Sequence, residues 1–433
     1  MSSRRVRAVA AVLAGGIGLV TPAAAQELAI VGGRVHTVTG GALEDATVLV
    51  RDGRIVAVGA DVAVPAGAAR IDARGKVVTP GIFDPASAIG IVEVDQVDAT
   101  TDARLASQED AVTAAFDVTF GLNPHSTLVP FNRSLGLTTA AALPSGGLVA
   151  GQAAVIDLWG ATASEMVVKP KAAMRASYDE GAAAIAGGAR GGAALRLREV
   201  LEDARFWAAN RAAFDRGDAR ELAQSRLDLA ALQPVLAGTM PLVVEVRRSS
   251  DILATLAIAR EFDLRPVVLG GAEAWMVAAE LARARVPVIL KPLTSAPEDF
   301  EALGARFENA AILHAAGVPI AFSSFEHHRA FSVLQEAGNA VRYGLPWDAA
   351  LRAVTLTPAE IYGVADRYGS IEPGKVANLV VWSGDPFEVS SLAETVVIRG
   401  RVVPIWSRQR ELLERYRNLD GPRPPAYSGS SMP

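Results

Sequence analysis

The chain has 433 residues, 50% of them hydrophobic, enough to bury a large core and to suggest one large domain with a smaller one. The formal net charge is −5 with both signs scattered, so the sequence carries no basic face of the kind that holds nucleic acid. It has no cysteine, which excludes a thiolate nucleophile, a cysteine-ligated zinc, a disulfide and a lipidated cysteine.

At the N-terminus, Arg4, Arg5 and Arg7 precede an apolar stretch over residues 8–20, and Ala23-Ala24-Ala25 offers a small-residue cleavage site before Gln26. The apolar stretch is short for a membrane span and is interrupted by Gly15, Gly16 and Gly18. The expectation is a signal peptide over residues 1–25 and an exported chain, periplasmic if the source is Gram-negative. Ser3-Arg4-Arg5 matches a twin-arginine signal only in part and selects no translocation route. No later stretch reads as a bilayer span.

Residues 27–79 read as short strands and turns. Leu28-Ala29-Ile30-Val31 runs into Gly32-Gly33. Strands at 46–50 and 55–58 flank Asp52-Gly53, a two-residue hairpin signal. Residues 71–73 and 76–78 complete a small unit expected to be antiparallel, and Thr79-Pro80-Gly81 ends it. Residues 370–408 have the same character, with strands at 379–382, 396–398 and 402–403. They come too late to pair with near neighbours, and packing them on the N-terminal strands makes one discontinuous β-sandwich.

Between these parts, residues 80–369 alternate strand and helix. Strands are expected at 242–246, 266–269, 286–290 and 318–322, with helices at 252–262, 275–284, 307–316 and from Arg329. Helices of this length between strands imply parallel βα units, and their repetition favours a barrel. Residues 164–236 are rich in alanine and arginine and read as mostly helical. Residues 409–433 read as a C-terminal helix and a flexible tail.

The motifs carry a resemblance. Lys76-Val77-Val78-Thr79-Pro80-Gly81-Ile82-Phe83-Asp84 is similar to the lead into the first barrel strand of the amidohydrolase superfamily. Thr357-Pro358-Ala359-Glu360-Ile361-Tyr362-Gly363, then residues 369–381 with Gly384-Asp385-Pro386 behind them, resemble its closing segment. The branch it most resembles is the exported, imidazolonepropionase-like one. The resemblance implies an α/β fold, a TIM-like (β/α)8 barrel with a small discontinuous β-sandwich built from both termini. It also implies a hydrolase of non-peptide carbon–nitrogen bonds, with zinc as the family cofactor.

The family's metal lowers the pKa of a bound water so that hydroxide exists at neutral pH. By the resemblance, the two histidines of strand one fall at Ala86 and Ala88, the strand-five histidine at Glu245 and the strand-six histidine at Gly270. The strand-eight aspartate falls at Phe325. A bridging lysine would come from strand four, but Lys169 and Lys171 precede the helical stretch and Lys291 lies on a later strand. His36 belongs to the sandwich, His314 to a helix and His125 to a loop. His327 and His328 follow strand eight within reach of the barrel mouth, although adjacent residues diverge in direction. No metal is therefore expected.

The candidate pocket residues are Asp84, Glu245, Arg247, Lys291, Ser324, His125 and His327. Three readings stay open: an ion-pair plug of Glu245, Arg247 and Lys291, a charged pocket for a small anionic or amide ligand, or a metal-free acid–base pair. No Gly-x-Ser-x-Gly elbow and no phosphate-cradling loop competes with them. The functional expectation is an amidohydrolase-type hydrolase that is weakly active or non-catalytic because its ligands are replaced. The alternative is a periplasmic binding protein or a non-catalytic partner of an active paralogue. The partners implied are a small-molecule ligand and a second copy or an amidohydrolase paralogue, without nucleic acid.

Overall fold

The computed structural model describes residues 27–105, 111–294 and 299–417. The expected signal peptide and the tail from Pro422 lie outside the described residues. No helix among the described residues is long and apolar enough to cross a membrane.

The first strands are β1 (Glu27–His36), β2 (Ala42–Arg51), β3 (Arg54–Gly59), β4 (Ala69–Asp72) and β5 (Val77–Pro80). The β2–β3 hairpin turns on Asp52 and Gly53, both at positive φ (49° and 78°), which matches the right-handed twist of the strands. β4 and β5 pair with β1 in parallel, not antiparallel. The reason is the crossover: residues 60–68 carry the chain back before it re-enters beside β1.

Eight further strands form the barrel sheet. They are β6 (Ile82–Ser87), β7 (Leu137–Ala142), β8 (Val149–Asp157), β9 (Val167–Ser177), β10 (Leu242–Val246), β11 (Pro266–Gly270), β12 (Val288–Leu290) and β13 (Ile320–Phe322). The last three strands are β14 (Leu379–Trp382), β15 (Ala393–Ile398) and β16 (Arg401–Val403).

β14 pairs with β5, so strands from both ends of the chain share one sheet in the order β16-β15-β14-β5-β1-β2-β3. Residues 374–377, leading into β14, also bond to Gly53 and Ile55 at the start of β3. The sheet encloses a core of Ile30, Val48, Ile55, Val78, Leu379 and Val381. Gly81 joins it to the barrel. A Cβ there would stand 2.0 Å from Thr138 Oγ1, so only glycine lets β5 pass into β6 so close to β7.

The barrel sheet runs β6 to β13 in sequence order and is nearly closed. At the seam, Ser323 Oγ donates to the carbonyl of Ala86 (2.9 Å), tying the end of β13 to β6. β6–β7 and β9 through β13 are parallel, but β8 runs antiparallel to both neighbours. The connections 143–148 and 158–166 are too short for crossover helices, so the chain can only reverse. Residues 167–177, expected in a helical stretch, form β9. Its inner part, Ala172 to Ser177, is buried throughout, and alanine fits that crowded wall without requiring a helix. Helix Arg190–Ala209 follows and covers the sheet with Leu197, Val200, Leu201 and Trp207.

Candidate functional site

A cavity of about 350 Å³ opens where the parallel strands end. Ala86 and Ala88 face it from the end of β6, with Glu245 from β10, Gly270 from β11 and Phe325 just beyond β13. All five positions matched to the family's metal ligands and base therefore meet on one wall set. Ala86 lies on β6 and Ala88 just past its end, and both line the cavity.

These residues do not fit a metal there. Two methyl groups, a glycine and a phenyl ring supply no donor, and the one carboxylate is already engaged. Arg175 Nη2 donates to Glu245 Oε2, and Arg247 Nη2 donates to Glu245 Oε1 at 3.4 Å. Burial acts to raise the pKa of Glu245, yet the two guanidiniums together hold it below the usual carboxylate range. A carboxylate so held is a weak proton acceptor.

Arg175 is the residue that sequence reasoning missed. It sits near the C-terminal end of β9, the fourth barrel strand, and only 6% of it is exposed. Its signal was the short apolar run Ala172-Ala173-Met174 closed by Ser177-Tyr178-Asp179, which is strand-length. Lys169 and Lys171 lie on the same strand but at its other end, where Lys169 Nζ donates to the carbonyl of Tyr362 (2.8 Å).

Lys291 lines the cavity as expected, but it does not join the ion-pair plug. Arg247 instead pairs outward with Asp299 (2.6 Å), and Arg190 binds Asp251 (2.7 Å) and Glu301 (2.5 Å). These pairs hold residues 299–302 against the cavity, which Ala302 helps to line. Among the described residues, Lys291 has no carboxylate within ion-pair distance. Its charge acts from farther off on the buried carboxyl of Glu336.

Three other candidates sit elsewhere. Asp84 is fully buried behind Ala86: its Oδ1 accepts from the Ala86 amide (3.0 Å), and its Oδ2 has no hydrogen-bond partner among the described residues. Burial pushes this carboxyl up to about 7. Ser324 is buried too. Its hydroxyl accepts from the Glu326 amide (3.3 Å), bracing the turn after β13 and not the cavity wall. His125 lies in a separate surface cleft with Trp406, Arg408 and Glu411, because its loop packs on the C-terminal helix Arg408–Arg417.

His327 lines the cavity, and His328 does not diverge from it. Phe325 adopts a left-handed φ of 56°, and the tight turn it makes brings both imidazoles to one side, centroids 4.5 Å apart. His327 Nε2 lies 3.2 Å from Asp95 Oδ1, and His328 Nδ1 lies 4.0 Å from Asp95 Oδ2.

The comparisons with known proteins agree with the fold. The amidohydrolase family model matches residues 250–403. An amidohydrolase of solved structure from Thermotoga maritima MSB8 is 28% identical. The match covers 88% of this chain and all of that one, with a TM-score of 0.80. A molinate hydrolase structure is 19% identical (TM-score 0.55), covering 88% of this chain and 95% of that one, a likeness of fold alone. Amidohydrolase tasK from Hapsidospora irregularis is 43% identical over 68 residues, 16% of this chain and only 7% of that protein. Residues 250–403 thus match the amidohydrolase family in sequence, and the chain shares the amidohydrolase fold over most of its length.

Proposed function

We propose that this amidohydrolase-fold chain is an exported protein that binds a small anionic amide in its barrel cavity and is weakly active or non-catalytic towards it. The observation that carries the reading is the composition of the inherited metal position. Ala86, Ala88, Gly270 and Phe325 offer no ligand atom, and Glu245 is neutralised by Arg175 and Arg247. Without a cation to stabilise hydroxide, water at this position keeps its ordinary acidity. What the cavity retains is recognition. Lys291 supplies a charge for a carboxylate, while Ala86, Leu143 and Leu269 supply apolar walls.

The test is a panel of N-acetyl amino acids offered to zinc-supplemented protein. Calorimetry is expected to find saturable binding of one or more of them. Chromatography is expected to find little or no release of acetate. Efficient turnover abolished by Glu245→Ala would return hydrolysis to the inherited position and end this reading.

A further inference from the structure

We propose that Asp95, His327 and His328 form a divalent-metal site of the zinc class at the rim of the cavity, displaced from the position the family uses. Two imidazoles and a carboxylate are a donor set that suits zinc, and three protein ligands leave room for a water or a ligand oxygen. The three ligating atoms lie within 4.8 Å of one another. The site is more than a chance encounter of surface groups. His327 Nε2 is buried and makes no hydrogen bond among the described residues, although it points at Asp95 Oδ1 from 3.2 Å. A buried ring nitrogen that faces a carboxylate without a hydrogen bond to it is an arrangement that a bridging cation would satisfy.

Both halves of the site are fixed by backbone contacts. The Asp95 loop is closed by the Glu93 amide donating to the Thr100 carbonyl (3.0 Å) and by the Thr100 hydroxyl donating to the Val94 carbonyl (2.9 Å). The histidine segment is held by the buried Asn132. Its side-chain amide donates to the His327 carbonyl (2.9 Å) and accepts from the Phe331 amide (3.1 Å). Such outer contacts keep first-ring ligands in place and set their affinity. Because His327 also lines the cavity, a metal held here would present its open position to a ligand inside.

The experiment uses the full chain, stripped with a chelator and titrated with zinc chloride by calorimetry and with cobalt(II) by visible absorption. One equivalent per chain is expected, with cobalt bands typical of nitrogen and oxygen ligation. Asp95→Asn and His328→Gln change exposed side chains and should fold normally, as circular dichroism can verify. Each is expected to weaken zinc at least about tenfold. Glu245→Ala should leave zinc affinity unchanged. The proposal is overturned if the stripped chain takes up no zinc, if either Asp95→Asn or His328→Gln binds zinc as tightly as the parent, or if Glu245→Ala is the change that removes the metal.

Discussion

Arg175 on β9 and Glu245 on the neighbouring β10 join side chains across the mouth of the barrel, where the family's fifth strand would present a metal ligand. The carboxylate that stands there is stabilised by a guanidinium fixed to the protein.

This pair predicts the outcome of Glu245→Ala. Arg175 is nearly inaccessible, so removing its partner strands a charge in a poorly solvated wall. Urea unfolding of the variant is expected to show a loss of about 3 kcal/mol, with Glu245→Gln losing less because its amide oxygen still accepts a hydrogen bond. A variant as stable as the parent would mean the pair contributes nothing to the fold.

Lys291 predicts the ligand's charge. Replacing it by methionine keeps the chain length of the side chain and removes only the ammonium. Binding of a carboxylate-bearing amide should weaken by about tenfold, while the neutral methyl ester should bind parent and variant alike. Equal loss for both compounds would point to altered cavity shape and not to charge.

Asp84 predicts a pH dependence. Its carboxyl titrates near 7 in the folded chain against 3.8 when exposed. The unfolded chain therefore gives up this proton first. Stability from this group is present below about pH 4, falls as pH rises, and levels off above about pH 7. The difference between the parent and Asp84→Asn should change by roughly 4 kcal/mol across that window. Unfolding free energies of both proteins at pH 3 and pH 8, which bracket the window, measure it. A parallel dependence in the two would show that Asp84 is already ionised in the native state.

The strands around the cavity were legible where βα alternation was strong. Val243, Val267, Ile289 and Ala321 each sit in short apolar runs separated by amphipathic helices, and all four are buried on the inner side. The five family positions could be placed by counting from those strands. The region from β7 to β9 was harder. Its runs are built of alanine, which serves helix and buried strand alike, so periodicity could not separate them. That hid Arg175, and with it the true partner of Glu245. The convergence of His327 and His328 was also invisible, because it depends on a left-handed residue at Phe325, a type that rarely takes that conformation. Loop placement decided the fate of His125 and Ser324, and no local pattern encodes it.

The reversal of β8 has a structural consequence that can be tested. A parallel third strand would end at the cavity. The antiparallel β8 ends instead at the opposite side of the barrel, where its last residue, Asp157, faces the sheet formed from both termini. Asp157 is fully buried and accepts from Arg399 Nε (2.6 Å), Asn378 Nδ2 (2.8 Å), Tyr368 Oη (3.0 Å) and Thr139 Oγ1 (3.2 Å). Arg399 and Asn378 come from the C-terminal part of the chain, so one carboxylate holds that part to the barrel. Asp157→Ala removes four acceptor contacts and leaves Arg399 without its anion. The expected loss is about 3–5 kcal/mol, and Arg399→Ala should also destabilise, because it leaves the fully buried Asp157 carboxylate without its cation. The double variant should lose less than the sum of the two, the mark of a direct pair. Ending the chain after Gly374 removes Asn378, Arg399 and all of β14, and uncovers Ile30, Val48 and Val78. That truncation should be insoluble, or should lack a cooperative melting transition. A soluble, cooperatively melting truncation would show that the N-terminal strands and the barrel fold without the C-terminal strands, and that Asp157 does not hold the two parts together.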